Sequence, residues 1–314
     1  MFVGQSDVGL VRERNEDSFL LFSKHRFAAV ADGMGGHLSG DVASSVAIAT
    51  MQRFYEQVVE EERSWPLPYD SALSHEENCR VVGVRWANSK VFSQARKVAA
   101  DSVMGTTIVA AMFSPSFERV VVAHVGDSRC YRLRGGKLLQ LTTDHSLVSE
   151  VTEIAPWLSA EEIAQLPSNV ITRALGMGAD VVVDLLSSET AAGDIYLLCS
   201  DGLNSMLTDS DIGAVLADDD ISLRERCDAL IRNANQRGGV DNTTVVLVAV
   251  RGDNEDLLAD TLDGGDDVPV AGGAIGSISF QSLSHRSRRP RHGLRRTDRP
   301  TCSLSPDQLP RHHE

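Results

Sequence analysis

The chain lacks the closely spaced cysteine pairs that mark a zinc site or a disulfide framework. Its five cysteines, Cys79, Cys130, Cys199, Cys227 and Cys302, are odd in number and scattered. Such thiols suit a reducing compartment, and the cytoplasm is the expected location. No basic-then-apolar leader opens the sequence, and no apolar run approaches the ~18 residues of a membrane span, so neither secretion nor membrane insertion is expected. Basic charge is short as well: 30 lysines and arginines stand against 44 acidic residues, a formal net charge of -14. That balance disfavours nonspecific binding to nucleic acid or anionic membranes and leaves carboxylates to gather cations. With 314 residues, 42% of them hydrophobic, the chain can bury the core of one sizeable domain with appendages.

Short runs rich in valine, isoleucine, leucine and aromatics recur as "SFLLFS", "RFAAVA", "GTTIVAAMF", "RVVVAHVG", "RCYRLRGG", "IYLLCS" and "TTVVLVAV", each bounded by Gly, Asp or Ser, and read as strands. Between them "DVASSVAIATMQRFYEQVVEEER" and "CRVVGVRWANSKVFSQARKVA" carry apolar residues at helical spacing. Strand pairs, two long helices and strand pairs again predict an α+β domain with antiparallel sheets and segregated helices, not a doubly wound parallel sheet. The polar stretch "EVTEIAPWLSAEEIAQLPS", with Ser159 followed by Glu162 in a capping-box pattern, reads as an inserted flap within about residues 145–170. The domain is expected to span residues 1–252. Beyond it, residues 253–267 hold seven acidic residues, and "HRSRRPRHGLRRTDRP" holds seven arginines without periodicity. Residues 253–314 therefore read as a disordered, acidic-then-basic tail.

The stretch "FAAVADGMGGHLSG" runs from an apolar strand into Asp32 and then four glycines within eight residues. Alone it reads as a tight turn. Three further acids stand at the ends of apolar strands, however: Asp127 after "VVVAHVG", Asp201 after "IYLLCS", and Asp241 before "NTTVVLVAV". Carboxylates at a rigid rim, without histidine or thiolate partners, suit Mg²⁺ or Mn²⁺ more than zinc. Two such ions sharing a water would lower its pKa and orient it for in-line attack on phosphorus, which points to phosphoester hydrolysis. A glycine after the acid lets the backbone carbonyl reach a metal without a Cβ in the way. "GLVRERNEDS" adds Arg12, a guanidinium fork for phosphate, and Asp17, a further carboxylate; its Glu13 and Arg14 read as solvated surface charges.

"LVRERNEDS", "ADGMGGHLSGDVAS", "MGTT", "VGDSRCY", "TTDHSLV", "NVITRALG", "CSDGL" and "VDNTTVVLV" occur in one order over about residues 4–250. In that order the chain resembles the bacterial metal-dependent serine/threonine protein phosphatases of the type 2C family. The resemblance implies a four-layer sandwich of two antiparallel sheets flanked by helices, with a binuclear Mn²⁺/Mg²⁺ centre in a cleft at one end. It implies that Asp32 bridges two tightly bound ions, that the Gly33 carbonyl binds one, and that Asp201 and Asp241 hold the other. Asp17, through water, and Glu16 would hold the site together, Arg12 would bind the substrate phosphate, Asp127 would serve a third, weaker ion, and Asn242 would orient its neighbours. Thr106, Thr107 and "ITRALG" would support the structure or the flap.

Two departures matter. Eukaryotic members carry a histidine directly after the Asp-Gly as the proposed general acid; that place is Met34 here. His37, three residues on, is the bacterial pattern; it reads equally as the general acid or as a satisfied loop histidine, and a metal-bound water could protonate the leaving oxygen instead. Many bacterial relatives also carry a carboxylate where this chain has Ser205, so the third ion should be weak or absent. Cys199 lies in an apolar strand and reads as core, not as a nucleophile. The implied activity is hydrolysis of phosphoserine and phosphothreonine on proteins by a monomer, opposing a serine/threonine kinase. A metal-binding regulatory module with a vestigial phosphatase site and a two-metal nuclease are the competing readings; the intact acids disfavour the former and the acidic body the latter.

Overall fold

Side-chain alternation along short strands decides the architecture. The computed structural model describes residues 1–35, 39–60, 64–98, 104–167, 169–251 and 270–271. Strands β1 (Phe2–Asp7), β7 (Arg129–Arg134), β8 (Lys137–Gln140), β10 (Ile195–Cys199) and β11 (Thr243–Ala249) form one antiparallel sheet in the order β1-β11-β10-β7-β8. The second sheet holds β2 (Asp17–Phe22), β3 (Phe27–Gly35), β4 (Met104–Thr106), β5 (Ile108–Phe113), β6 (Arg119–Val125), β9 (Asp184–Glu189) and β12 (Val270–Ala271). Its order is β12-β2-β3-β5-β6-β9, with β4 paired to β3.

Alternate residues of each strand belong to different cores. Ala28 and Val30 of β3, Val109 and Ala111 of β5, and Tyr196 and Leu198 of β10 meet between the two sheets. Their neighbours Phe27, Ala29 and Ala31 face α1 (Gly40–Phe54) and α2 (His75–Val98), whose Ala47, Met51, Val84 and Val91 pack against them. On the far side, Leu197, Val245 and Leu247 pack against Leu203 of α5 (Asp201–Asn204), Ile212 of α6 (Asp209–Leu216), and Leu230 and Ile231 of α7 (Leu223–Gln236). The layers are therefore helix, sheet, sheet, helix. Each fully buried aliphatic or aromatic side chain contributes about 1.5–3 kcal/mol of transfer free energy to them.

The stretch read as a flap contains two helices, α3 (Leu147–Ile154) and α4 (Ala160–Ala164). Ser146 caps the first, and the capping box of Ser159 and Glu162 opens the second as expected. The run "GTTIVAAMF" is broken into β4 and β5 at Thr107, whose N–H donates to the Asp32 carbonyl. The first long helix ends as an α-helix at Phe54 and continues through residues Tyr55–Glu60 as a wider, π-type turn. Strands β1, β8 and β9 carry no clear apolar signal, because each is an edge strand whose residues are mostly half-buried or exposed, and β8 has only four residues. Of the stretch read as a tail, only Val270–Ala271 is described; it pairs with Ser18 and Phe19 of β2, and the remainder lies outside the described residues. Among the described residues, no helix is long and apolar enough to cross a membrane.

Candidate active site

Asp17 and Asp32 stand directly opposite each other on the paired strands β2 and β3, at the end of the inter-sheet core. Asp17 is buried, and its Oδ2 accepts hydrogen bonds from the Ser200 and Thr244 hydroxyls, both at 2.7 Å. Thr244 lies on β11 and Ser200 directly follows β10, both of the other sheet, so this one carboxylate ties the two sheets together. Sequence reasoning did not single out Ser200 or Thr244; only the register of two separate sheets brings them to Asp17.

Asp32 is fixed through its backbone. Its N–H donates to the Thr107 hydroxyl at 3.0 Å, and its carbonyl accepts from the Thr107 N–H and from the Thr106 hydroxyl, both at 2.8 Å. The Thr107 hydroxyl also lies 2.7 Å from that of Ser128, beside Asp127. Both threonines thus support the structure.

The glycines after the acids have a packing role alongside the expected approach to a metal. A Cβ on Gly33 would stand 2.1 Å from the Gly40 carbonyl oxygen and 2.5 Å from that of Glu16. A Cβ on Gly202 would stand 2.0 Å from the Asn242 carbonyl oxygen. Backbones therefore cross at van der Waals contact beside Asp32 and Asp201, which only glycine permits. Asn242 orients its neighbours: its Nδ2 donates to the carbonyls of Val8 and Arg14 at 2.9 and 2.8 Å, and its Oδ1 accepts from the Glu16 N–H at 2.8 Å. The loop carrying Arg12 and Glu16 is thereby pinned next to Asp241. Arg12 is half-exposed, and its Nη2 lies 2.7 Å from Asp241 Oδ2. His37 lies outside the described residues. Ser205 is exposed at the C-cap of α5, one turn from Asp201.

The acids crowd one another. Burial raises the Asp32 carboxyl well above its usual range, and Asp17, Asp201, Asp127 and Asp241 each raise it further. Burial pushes Asp17 up to about 7 against the lowering by Thr244 and Ser200, and burial with the charge of Asp201 pushes Asp127 up to about 7. Asp201 is raised by burial and by Asp241, and Glu16 by burial and by Asp41. Asp17 Oδ1 and Asp127 Oδ1 are buried without a hydrogen-bond partner, an arrangement costly for a carboxylate unless a cation meets it. Hard oxygen donors, unpartnered oxygens and mutual repulsion together fit divalent Mn²⁺ or Mg²⁺.

The sign of the pH dependence follows. Asp17 and Asp127 have folded-state values raised above the ordinary 3.8. Their stabilisation is therefore complete below the unfolded value and lost as pH rises through about 7. The chelated protein is expected to melt at a lower temperature at about pH 8 than at about pH 6, with Mn²⁺ raising the melting temperature more at the higher pH. Calorimetric melts with EDTA or Mn²⁺ at both pH values check this; a chelated protein equally stable at both would contradict it.

Cys199 is fully buried and its thiol is pushed up to about 12 by burial, so it is core. A rim of this kind, at the open end of a four-layer sandwich, defines a site for phosphoester hydrolysis assisted by divalent metals. The profile described as protein phosphatase 2C matches residues 11–245, and the chain belongs to that family. It is 36% identical over 253 residues to the serine/threonine phosphatase stp of Listeria welshimeri, covering 78% of this chain and 93% of that protein. The crystal structure of the Mycobacterium tuberculosis serine/threonine phosphatase PstP/Ppp superposes with a TM-score of 0.68 at 34% identity, covering 80% of this chain and 99% of that one. The catalytic domain of PstP in complex with two manganese ions superposes with a TM-score of 0.66 at 36% identity, covering 80% and 98%.

Proposed function

We propose that this chain is a protein serine/threonine phosphatase that hydrolyses phosphoserine and phosphothreonine at a binuclear Mn²⁺ or Mg²⁺ centre. The observation that carries this reading is the convergence of four carboxyls on Asp32: Asp17 stands opposite it on the paired strand, and Asp17, Asp127, Asp201 and Asp241 each raise its carboxyl. Asp32, the Gly33 carbonyl, Asp201 and Asp241 would hold the two ions, Asp17 and Glu16 would support them, and Asp127 would serve a third. When bound, the ions supply a water made nucleophilic at neutral pH and a clamp for the phosphoryl oxygens. The chain's own residues do the rest. Arg12 turns its guanidinium from Asp241 to the incoming phosphate, and Asn242 keeps that loop in place while it does so. The Asp17 tie to Ser200 and Thr244 holds the two sheets at fixed spacing, so the acids need no reorganisation when substrate arrives. Substrates would be phosphoproteins, opposite a serine/threonine kinase in the cytoplasm, and the enzyme would act as a monomer.

Arg12→Ala is expected to raise KM for a phosphothreonine peptide roughly tenfold, with a smaller change in kcat, because a clamp used in ground and transition states alike contributes uniform binding. Arg12→Lys should rescue it only in part, since a point charge does not reproduce the fork. An unchanged KM would remove Arg12 from the phosphate site. Side-by-side assays on the phosphothreonine peptide and on a nucleic acid with Mn²⁺ test the reaction class: peptide turnover alone supports it, nuclease activity alone overturns it, and a folded, Mn²⁺-loaded chain inert on both is the vestigial module.

A further inference from the structure

His124, His145 and Asp184 form a cluster beside the acid rim in which three metal-ligand atoms lie within 4.8 Å of one another. They do not make a metal site. The two imidazoles are stacked, with centroids 4.6 Å apart and planes 16° from parallel, so their in-plane lone pairs do not converge on one ion. The hydrogen bonds exclude it independently. The Gly126 N–H points at His145 Nδ1 at 3.0 Å. An N–H only donates, so Nδ1 is the unprotonated nitrogen and the ring proton sits on Nε2. Nε2 therefore has no lone pair to offer. It lies 3.2 Å from Asp184 Oδ2, without the geometry of a hydrogen bond.

What the cluster holds is the backbone next to Asp127. The His145 N–H donates to the Gly126 carbonyl at 3.0 Å, so His145 grips both polar groups of Gly126, one with its ring and one with its main chain. Gly126 has φ of +111°, and a Cβ there would stand 2.6 Å from the Thr107 side chain, so the turn needs glycine and has an outside anchor. The ring is anchored in turn. It is buried, stacked on His124, and faces Asp184, whose Oδ1 is 2.6 Å from Arg173 Nη1. Nε2 of His124 lies 2.9 Å from the Thr143 carbonyl oxygen. Burial, and then the neighbouring His124, hold His145 below the ordinary imidazole range, which favours the neutral ring that Nδ1 needs in order to accept.

We infer that His145 is a positioning residue for Asp127: by accepting the Gly126 N–H it fixes the Gly126–Asp127 turn and so aims the Asp127 carboxylate at its divalent ion. The inference rests on the reading of Asp127 as a metal ligand. His145 touches neither ion nor substrate.

The amide of asparagine can place its oxygen where Nδ1 stands, whereas that of glutamine reaches the Nε2 position. In the full chain, His145→Asn should keep Mn²⁺ binding within about twofold of wild type, although it loses the stack and the Asp184 contact. His145→Gln should weaken the weakest Mn²⁺ step by roughly tenfold or more, the size of effect seen when support behind a ligand is removed. Its KM for phosphothreonine peptide should stay within about twofold. Mn²⁺ titration calorimetry on chelated, desalted protein reads binding without turnover, and melts in EDTA report the fold. Asp127→Asn is the reference: if it leaves every Mn²⁺ step unchanged, the ligand reading of Asp127 falls. If Asp127→Asn weakens a step but His145→Gln does not, or if Asn and Gln behave alike, only the positioning role of His145 falls. Independently of any variant, ring ¹⁵N NMR of the wild type should show His145 protonated on Nε2 alone at neutral pH. Protonation on Nδ1 would overturn the proposal.

Discussion

Asp32→Asn is expected to cut phosphopeptide turnover by roughly a thousandfold, the several kcal/mol of charge stabilisation that metal ions supply expressed at ~1.4 kcal/mol per tenfold. Asp32 is the carboxyl on which all four others act, so its loss would take away the central group of the proposed metal site. Asp201→Asn and Asp241→Asn should fall in the same range. Removing one of several repelling carboxyls should at the same time leave the metal-free fold intact or stabilise it. The double readout separates this account from simple damage: activity collapses while the melting temperature in EDTA stays level or rises. A variant with full activity after chelation and Mn²⁺ return does not carry a ligand.

Gly33→Ala should cost about a hundredfold in activity, although it changes no charge. The added methyl would stand 2.1 Å from the Gly40 carbonyl oxygen, so either α1 withdraws from β3 or the Asp32–Gly33 backbone shifts. A displacement on the order of 1 Å at reacting groups costs about that factor, and overpacking costs about 1–3 kcal/mol of stability. Paired measurements of turnover and of the urea midpoint check it. A variant that keeps wild-type turnover would show that the close crossing of β3, Gly40 and Glu16 is dispensable to the site.

These two residues also mark how far the sequence could be read. Asp32, Asp127, Asp201 and Asp241 stand out because each sits beside one end of an apolar run, the first three after it and Asp241 before it, and an acid there is a local, visible event. The sandwich was legible for the same reason: strands such as β10 and β11 are apolar along their length, as buried central strands are. The edge strands β8 and β9 were not, because half-exposed edges tolerate polar residues. Non-local support was hidden as well. Ser200 and Thr244 meet Asp17 only because β2 and the β10–β11 pair lie in facing sheets. His145 stands within the quoted motif "TTDHSLV", yet no local pattern couples it to Gly126, 19 residues away. Composition could say that glycines follow the acids; only the assembled backbone shows that Gly33 is needed against Gly40 and Glu16, and Gly202 against Asn242.

If the crowded carboxyls hold divalent cations, phosphoester hydrolysis by this chain depends on those ions. Phosphate release from a phosphothreonine peptide by the full chain, followed through chelation and stepwise return of Mn²⁺, tests it most directly. Release should cease in excess EDTA, recover to saturation with Mn²⁺, and be poorly supported by zinc, which prefers softer, nitrogen and sulfur ligands. Undiminished release in EDTA, or none from a folded protein saturated with Mn²⁺, would contradict it.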